Sequence, residues 1–341
     1  MKKISLLAIL CFSILTVKAQ EGLNGLLRAG VENAERFSND FLKPGTNGVV
    51  HSLNANWFNT ADVKPLGGFE ISIITNAAVV KNEHRAFQMN IADYNQDDYD
   101  FTVEFEDGAN SKMVSTVLGE NNPDIDIIVR SKSSSLLSDR ITLPSGVGGD
   151  LDYVPSAFIQ GALGLSKGLE VKARFLPKIK ADDIEGSMFG AALQAEFTKW
   201  LPADKVLPVA LSGLVAYTTL DARYDLTESS GVDGQNQRLE NNTDTWLFQF
   251  IASTKLPIIN FYGGIGYISG ESKSDVLGTY IVNNGILPSE PIDDPFSVSS
   301  KVSSVRGTLG TKLKLGFFRL NAEYHLSDYN AFSVGINFGF R

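Results

Sequence analysis

The sequence predicts an all-β chain folded as a transmembrane antiparallel β-barrel. Three observations favour this fold class: hydrophobicity alternates with a period of two residues along many stretches, the connections between these stretches alternate between long and short, and the first residues look like an export signal. In a strand, successive side chains point to opposite faces, so each stretch has one apolar and one polar face. A membrane barrel turns the apolar face to lipid and the polar face to its lumen.

The amino terminus is predicted to be a signal peptide, residues 1–19. Two lysines follow Met1 and precede an apolar run of 14 residues, 4–17, and Ala19 is the small residue expected before the cut. This run is shorter than the roughly 20 residues that a spanning helix needs. Cleavage removes Cys11, the only cysteine, so the exported chain is expected to have no disulfide and no thiol chemistry.

The exported chain is predicted to be acidic. Loss of the three lysines within residues 1–19 leaves 27 of the 30 basic residues against 39 acidic ones, a net charge of −12. Nucleic acids select basic surfaces, so that class of partner is disfavoured. The sequence contains no phosphate-binding loop and no zinc-ligand cluster, and we expect no cofactor.

Ten strands are predicted, with 12–14 as the alternative if part of residues 81–152 adds strands. The closing segment shows the pattern best, because Phe332, Val334 and Ile336 alternate with small or polar residues. Lengths near 10–14 residues exceed the usual globular strand of roughly 5–6. The predicted strands are 66–80, 153–165, 169–179, 187–200, 206–220, 244–256, 258–270, 302–315, 317–326 and 331–341.

Residues 66–341 are therefore assigned to the barrel, with long loops at 81–152, 221–243 and 271–301. Tight links such as 166–168 alternate with these loops. A soluble β-sandwich also alternates in hydrophobicity, but it gives no reason for alternating loop length. Short periplasmic turns and long extracellular loops are typical of outer-membrane barrels, so both termini are expected in the periplasm.

Residues 20–65 are predicted to form a separate segment that begins with a helix. Apolar side chains recur there with helical spacing, and Pro44-Gly45 is expected to end the helix. The segment could plug the lumen from the periplasmic side, lie against the barrel base or hang free. Trp57 and Phe58 are too apolar for a free tail, which favours docking.

Several short motifs are spread over most of the exported chain. They are Asn56-Trp57-Phe58-Asn59-Thr60-Ala61, Leu66-Gly67-Gly68-Phe69-Glu70-Ile71, Val114-Ser115-Thr116-Val117-Leu118-Gly119, Leu143-Pro144-Ser145-Gly146, Tyr153-Val154-Pro155, Gln160-Gly161-Ala162-Leu163-Gly164-Leu165 and Glu170-Val171-Lys172-Ala173-Arg174-Phe175-Leu176-Pro177. Together they resemble an uncharacterised family of Gram-negative outer-membrane barrels, whose architecture is similar to that of the outer-membrane fatty-acid transporters. The resemblance implies the fold and the outer-membrane location, and it implies no activity. The ten predicted strands make a smaller barrel than that of the transporters.

Charged residues are predicted on the inward faces of three strands. These lumen-lining candidates are Glu170, Lys172, Arg174, Arg306, Lys312, Lys314, Arg319, Glu323 and His325. A basic stripe of this kind could steer anions through a pore. The alternative is a set of ion pairs that fills a narrow barrel, because small barrels pack their interiors with side chains.

One loop has the residue types of a calcium site. Positions 1, 3, 5 and 12 of a calcium-binding loop are matched by Asp93, Asn95, Asp97 and Glu104. Position 6 is Asp98, where a calcium loop has glycine for a sharp turn. An acidic surface loop is therefore the alternative.

Catalysis is not predicted. A barrel hydrolase needs a histidine beside a carboxylate or amide, and often a serine nucleophile. The three histidines are His51, His84 and His325, and only His325 with Asp328 makes a plausible dyad. A lumen histidine paired with Glu323 is the simpler interpretation.

The predicted function is a passive channel or transport-related barrel for small solutes in the cell outer membrane. The alternative is a structural or surface-binding barrel without a pore, and a barrel hydrolase is the remote alternative. The expected partners are outer-membrane lipid, the machinery that assembles barrels in that membrane and an unidentified small solute.

Overall fold

The structure is a computed structural model that describes residues 25–120, 124–133, 138–146, 152–181, 183–202, 207–226, 234–282 and 291–340. The predicted signal peptide and its cleavage site lie outside these residues. Within them the chain has one long helix and sixteen strands. They are α1 (Val31–Leu53), β1 (Phe69–Val79), β2 (Ala86–Asn90), β3 (Phe101–Phe105), β4 (Ser111–Ser115), β5 (Asp126–Ser131), β6 (Ser138–Thr142), β7 (Tyr153–Gly164), β8 (Leu169–Ala181), β9 (Ile184–Glu196), β10 (Val209–Asp225), β11 (Gly234–Thr254), β12 (Ile259–Ile281), β13 (Pro291–Asp293), β14 (Phe296–Leu315), β15 (Phe318–Leu326) and β16 (Ala331–Phe340).

Ten of these strands close into an antiparallel barrel. The order around the wall is β1, β7, β8, β9, β10, β11, β12, β14, β15, β16 and back to β1. The seam between the first and last strands runs from Phe69 opposite Phe340 to Ala78 opposite Ala331. The predicted ten-strand barrel is confirmed. The alternative of 12–14 barrel strands is wrong, because the additional strands pair outside the wall.

The distribution of side chains in the barrel is the reverse of that in a soluble protein, because apolar side chains are exposed and polar ones are buried. Along β16, Phe332 is 52% exposed whereas Ser333 and Asn337 are fully buried. On β14, Val305 and Leu309 are exposed in the same way. A continuous band of exposed apolar side chains is the surface that hydrocarbon covers. The outer face is therefore the lipid-facing one and the polar face encloses the lumen, as the alternation predicts.

The two ends of the barrel carry different connections. The turns at 165–168 and 316–317 lie at one end, which we call the turn end. Residues 327–330 and the described residues between 80 and 152 lie at the opposite end, which we call the loop end.

The prediction of long loops at 221–243 and 271–301 is wrong for most of these residues, because β10, β11, β12 and β14 continue into both ranges. These strands have 17, 21, 23 and 20 residues. Polar residues such as Asn241 and Asn242 suggested a loop. Asn242 is exposed on the outer face, which can be polar beyond the bilayer, whereas Asn241 lies on the inner face and is bound to Ser274. The inner faces of these extensions place Leu239 and Val276 in the apolar core that surrounds α1.

The described residues between 80 and 152 fold as a cap over the loop end. Strand β2 pairs with β4, and β3, β5 and β6 form a second small sheet. Val103 and Val114 of these sheets join one apolar core with Phe37 and Phe41 of α1. The segment predicted as a loop is therefore a folded unit that fixes the first half of the helix.

Helix α1 enters the barrel from the loop end and descends into the lumen. Arg28, just before the helix, donates to Asp139 of the cap at 2.5 Å. At the other end of the helix, the Leu53 carbonyl accepts a hydrogen bond from Arg174 of β8 inside the wall. The sequence predicted that this segment enters from the end with the tight turns, and that prediction is wrong for the described residues. The position of the amino terminus itself lies outside them.

The helix continues through Pro44 and Gly45, where the sequence predicted its end. Proline removes one backbone donor from a helix. Close packing compensates: a Cβ on Gly45 would lie 2.6 Å from Val117 Cγ1, and the Tyr329 hydroxyl donates to the Pro44 carbonyl at 2.7 Å. Tertiary contacts therefore outweigh the local signal to stop. Among the described residues, no helix has both the length and the hydrophobicity to cross a membrane.

Candidate functional site: the plug and its cavity

After α1 the chain runs through the lumen as a plug segment, residues 54–65, and reaches β1 at the turn end. Trp57 is fully buried there and Phe58 is almost so. The wall makes room for the indole at Gly190, where a Cβ would lie 3.0 Å from Trp57 Cζ2. The segment is therefore a plug inside the barrel rather than a free tail.

Arginine and lysine side chains of the wall bind the carbonyls of the plug. Arg174 donates from Nη1 to the Leu53 carbonyl at 2.9 Å and from Nη2 to the Ala55 carbonyl at 2.6 Å. Lys172 donates to the carbonyl of Trp57 at 2.9 Å. A buried irregular segment needs partners for its backbone groups, and these cations supply them.

Arg306 makes the same kind of contact from the opposite side of the lumen. Its Nη2 donates to the Asn54 carbonyl at 2.7 Å. The side chain is only 1% exposed, so its charge is buried in the protein interior. Three basic residues of the predicted stripe thus converge on a few consecutive residues of the plug.

Glu70, at the start of β1, gathers three cations at the turn end. Lys312 Nζ lies 3.2 Å from its carboxylate, Arg319 Nη1 lies 2.7 Å away, and Lys64 Nζ of the plug lies 3.6 Å away. The Asn59 amide donates to the same carboxylate at 2.9 Å. A buried charge is tolerated only when it is paired and hydrogen-bonded, so this cluster ties the plug to three strands.

Glu170 of β8 binds the same lysine from the other side. Its carboxylate accepts from the Lys64 backbone N–H at 2.9 Å and from Lys64 Nζ at 3.2 Å. Lys172 Nζ lies 3.2 Å from it. Lys314 differs from the other candidates, because it is only partly buried and donates to the Leu256 carbonyl at 3.4 Å.

Glu323 and His325 form a buried pair on β15. His325 Nε2 lies 3.0 Å from Glu323, and its Nδ1 lies 3.0 Å from the Thr308 hydroxyl. The Ser333 hydroxyl is also within 3.3 Å of Nε2. Both ring nitrogens therefore have partners other than Asp328, and the ring is 1% exposed. This arrangement gives a substrate no access to the predicted dyad.

The candidate calcium residues do not converge on one point. Asp93 lies beside Arg36 at 3.5 Å. Asn95 uses its amide to bind both backbone groups of Val103. Glu104 makes a two-pronged contact with Arg130. Within the described residues, no group of three or more His, Cys, Asp or Glu is arranged to hold a metal ion.

Between α1 and the wall lies an apolar cavity in the half of the barrel nearer the loop end. Its volume is about 70 Å³. The helix contributes Val49 and Leu53, and the wall contributes Phe158, Met188 and Leu220. Small-molecule sites are commonly lined by apolar side chains, so the cavity has the polarity of such a site.

The few polar side chains at the cavity already bind one another. The Ser52 hydroxyl donates to the Ser156 hydroxyl at 2.7 Å and accepts from the Asn76 amide at 2.8 Å. The Asn241 amide is bound to Ser274 at 2.9 Å. Because these groups are satisfied within the protein, an occupant has no need to hydrogen-bond, and an apolar molecule fits best.

A second apolar cavity, also of about 70 Å³, lies next to the first, closer to the loop end. The two share Leu42 and Leu239 in their linings. Sequence reasoning missed both cavities, because their residues belong to α1 and to strand extensions that looked like loops. The available signal was the apolar spacing of Leu42, Val49 and Leu53, which continues past Pro44.

The sequence profile of a family described as "Family of unknown function (DUF6588)" matches residues 1–340. Among curated proteins, no relative matches the chain.

Solved structures of outer-membrane barrels are similar at low identity. The beta domain of the Bordetella autotransporter BrkA matches at 11% identity over 80% of this chain and 100% of its own, with a TM-score of 0.37. The outer membrane protease OmpT of Escherichia coli matches at 8% identity over 82% and 98%, with a TM-score of 0.32. The toluene transporter TodX of P. putida matches at 7% identity over 80% and 89%, with a TM-score of 0.24.

Proposed function

We propose a function for a chain that belongs to the DUF6588 family: it passes small apolar solutes across the outer membrane through a barrel whose lumen is closed to ions. The loop end then faces outward, as long connections do in outer-membrane barrels. The observation that carries the proposal is the apolar lining of the cavity between α1 and the wall. The proposal includes no catalytic step.

The plug argues against an aqueous channel. Lys172, Arg174 and Arg306 bind the plug backbone, and Lys312 and Arg319 bind Glu70. The basic stripe therefore holds the plug in place instead of lining an open path for anions. A lumen filled in this way supports little ion flow, whereas the cavity beside α1 is built for molecules that need no hydration.

The test measures the rate at which an apolar probe crosses a membrane that is poorly permeable to it. Vesicles with lipopolysaccharide in the outer leaflet, with and without the protein, receive N-phenyl-1-naphthylamine, and its fluorescence reports entry. We expect faster entry with the protein and almost no ion conductance. Ala222→Phe, which fills the cavity from β10, should remove the acceleration.

The matched control is Ala173→Phe, which adds the same ring on the lipid-facing side of β8. It should leave probe entry unchanged. Equal entry with and without the protein would refute the transport proposal and favour a structural or surface-binding barrel.

A further inference from the structure

The interior of the barrel holds more basic than acidic side chains, although the whole chain is acidic with a net charge of −9. Histidines aside, the buried charged residues of the described chain are five basic ones and four acidic ones. They are Lys64, Lys172, Arg174, Arg306, Lys312, Glu70, Glu170, Glu196 and Glu323. A buried charge is costly unless an opposite charge compensates it, so the interior favours an additional anion.

Arg306 uses only one of its three guanidinium nitrogens in a hydrogen bond. Nη2 donates to the Asn54 carbonyl at 2.7 Å, whereas Nε and Nη1 have no hydrogen-bond partner. Arg174, the other buried arginine, uses all three nitrogens. Glu323 interacts with Arg306 electrostatically from beyond ion-pair distance, and His325 lies 3.0 Å from that carboxylate. Buried donors without an acceptor are uncommon in native proteins and indicate a bound water or ion.

A second unsatisfied side chain, Gln249 of β11, lies in the same row of the wall as Arg306. It is 4% exposed, and neither atom of its amide has a hydrogen-bond partner. Gly266 of β12 is paired with Gln249 on one side and with Arg306 of β14 on the other. The two polar side chains therefore face the lumen from the strands on either side of one glycine.

Inward-facing glycines of β12 leave no other side chain between Gln249 and Arg306 along this row. A Cβ on Gly264 would lie 2.7 Å from Gln249 Nε2, and a Cβ on Gly266 would lie 2.2 Å from Gln249 Oε1. The amide therefore lies over the glycine backbone, on the side of β11 from which Arg306 is reached. Strands β11 and β14 are about 10 Å apart here, twice the spacing of neighbouring strands, so one small ion can contact both side chains.

We propose that Arg306 and Gln249 bind one small monovalent anion, a halide such as chloride, inside the barrel. The unpartnered nitrogens of both side chains are donors and cannot accept, so the ligand must accept hydrogen bonds. A halide accepts from several N–H groups and requires no donor in return, and its single charge balances the excess of one buried cation. The anion is a fixed part of the folded lumen, because the plug segment and its contacts close the lumen to ion flow.

The test uses bromide, which replaces chloride and can be located by its anomalous X-ray scattering. The full exported chain is refolded from urea into detergent at a series of bromide concentrations, with sodium gluconate keeping the ionic strength constant. Inductively coupled plasma mass spectrometry then counts the bromide that remains with the protein after gel filtration. We expect saturation at one bromide per chain, and crystals should show its anomalous peak between Arg306 Nη1 and Gln249 Nε2.

Two variants test the two sides of the site. Arg306→Leu removes the cation and should abolish bromide binding. Gln249→Leu keeps every buried charge and should raise the bromide concentration for half occupancy about tenfold or more, as loss of one hydrogen bond to a charged group does. The matched control is Gln194→Leu, in the same row, whose amide already donates to the Thr60 carbonyl and the Ser212 hydroxyl. It should bind bromide like the unchanged protein.

Gln249→Leu also covers the case in which Arg306→Leu does not fold, because it leaves the charge of the interior unchanged. The urea midpoint of the unchanged protein and of Gln194→Leu should be higher in bromide than in gluconate, and Gln249→Leu should lose most of this difference. Absence of bound bromide in the unchanged protein, or a water molecule at the position of the expected peak, would overturn the proposal. Undiminished bromide binding by Gln249→Leu would do the same, because the anion would then lie elsewhere.

Discussion

The guanidinium of Arg174 lies 3.8 Å from the centre of the Trp57 ring, and this contact joins the barrel wall to the middle of the plug. The same guanidinium lies 4.2 Å from the Phe158 ring, at the wall of the apolar cavity. A desolvated cation over an aromatic face contributes about 2 kcal/mol or more. One side chain therefore both fixes the plug and borders the candidate solute site.

Arg174→Met should loosen the plug without changing the outer surface of the barrel. The substitution leaves the buried carbonyls of Leu53 and Ala55 without their donors, which costs about 1–3 kcal/mol for each carbonyl. We expect ion conductance to appear in planar bilayers, with faster hydrogen exchange over residues 50–58. Lys178→Met, at an exposed position further along β8, is the control and should show no ion conductance. If planar bilayers with Arg174→Met show no ion conductance, the plug is held mainly by other contacts.

Glu70→Gln should destabilise the turn end strongly. Lys64, Lys312 and Arg319 would lose a shared anion in a site where all four groups are largely buried, and the expected cost is about 3–5 kcal/mol. The measurement is the urea midpoint of the gel shift between folded and unfolded barrel. Glu271→Gln, at an exposed pair with Lys301, should cost no more than about 1 kcal/mol. Similar costs for both variants would contradict a shared buried anion.

A lysine substitution on the lipid-facing surface should lower the free energy of unfolding strongly only in the middle of the exposed apolar band. Val171→Lys and Val334→Lys place a charge among exposed apolar side chains, and we expect losses of about 2–4 kcal/mol in unfolding free energy. Ser297→Lys lies on the outer face of β14 beyond the band, beside Asp275, and should be nearly neutral. Equal losses at all three positions would mean that the band is not the membrane contact.

The contacts that α1 and the cap make with Tyr329 should weaken in acid. Burial lowers the pKa of His51 to about 4, and burial also lowers the pKa of His84; Arg306 and Lys81 act on His51 in the same direction, against Asp328. Both rings pack on Tyr329, with centres 5.3 Å and 3.8 Å away. Below the ordinary histidine pKa of about 6.5, the unfolded segment binds protons that the folded one does not, so stability falls as the pH drops toward 4.

Hydrogen exchange measures this effect after correction for the intrinsic dependence on pH. We expect residues 42–52 to exchange faster at pH 4.5 than at pH 7.5. His51→Asn with His84→Asn removes both titrating groups and should make the corrected rates nearly equal. Retention of the full pH dependence in that variant would locate the effect in other groups.

Much of the barrel was predictable, because its physical basis is local. A side-chain period of two follows from strand geometry, so the β16 alternation around Phe332 and Val334 identified the lipid-facing side directly. The stripe from Arg306 to Arg319 was assigned to the inside for the same reason, and the structure buries both residues against the plug or its cluster.

The parts that escaped prediction depend on contacts between distant residues. Pro44 is a local signal to stop a helix, and only Tyr329 and the enclosing cap explain why α1 continues. The alternation of β15 places Asn321 on the inward face, but it does not identify the contacts that the side chain makes there. In the structure it is 2% exposed and hydrogen-bonded to Asn56 and Tyr262, so a charge there is expected to be costly.

The path of the plug constrains the order of assembly. Its amino-terminal side is anchored to the cap at one mouth of the cylinder, and its carboxyl-terminal side continues into β1 at the other mouth. The β1–β16 seam joins the first wall strand to be synthesised with the last. If the barrel closed first, α1 and the plug segment would have to enter through its mouth with side chains whose charges are buried in the folded protein. Wrapping the wall around a helix already in place avoids that step, so the topology favours an assembly order in which the β1–β16 seam closes after α1 is in position.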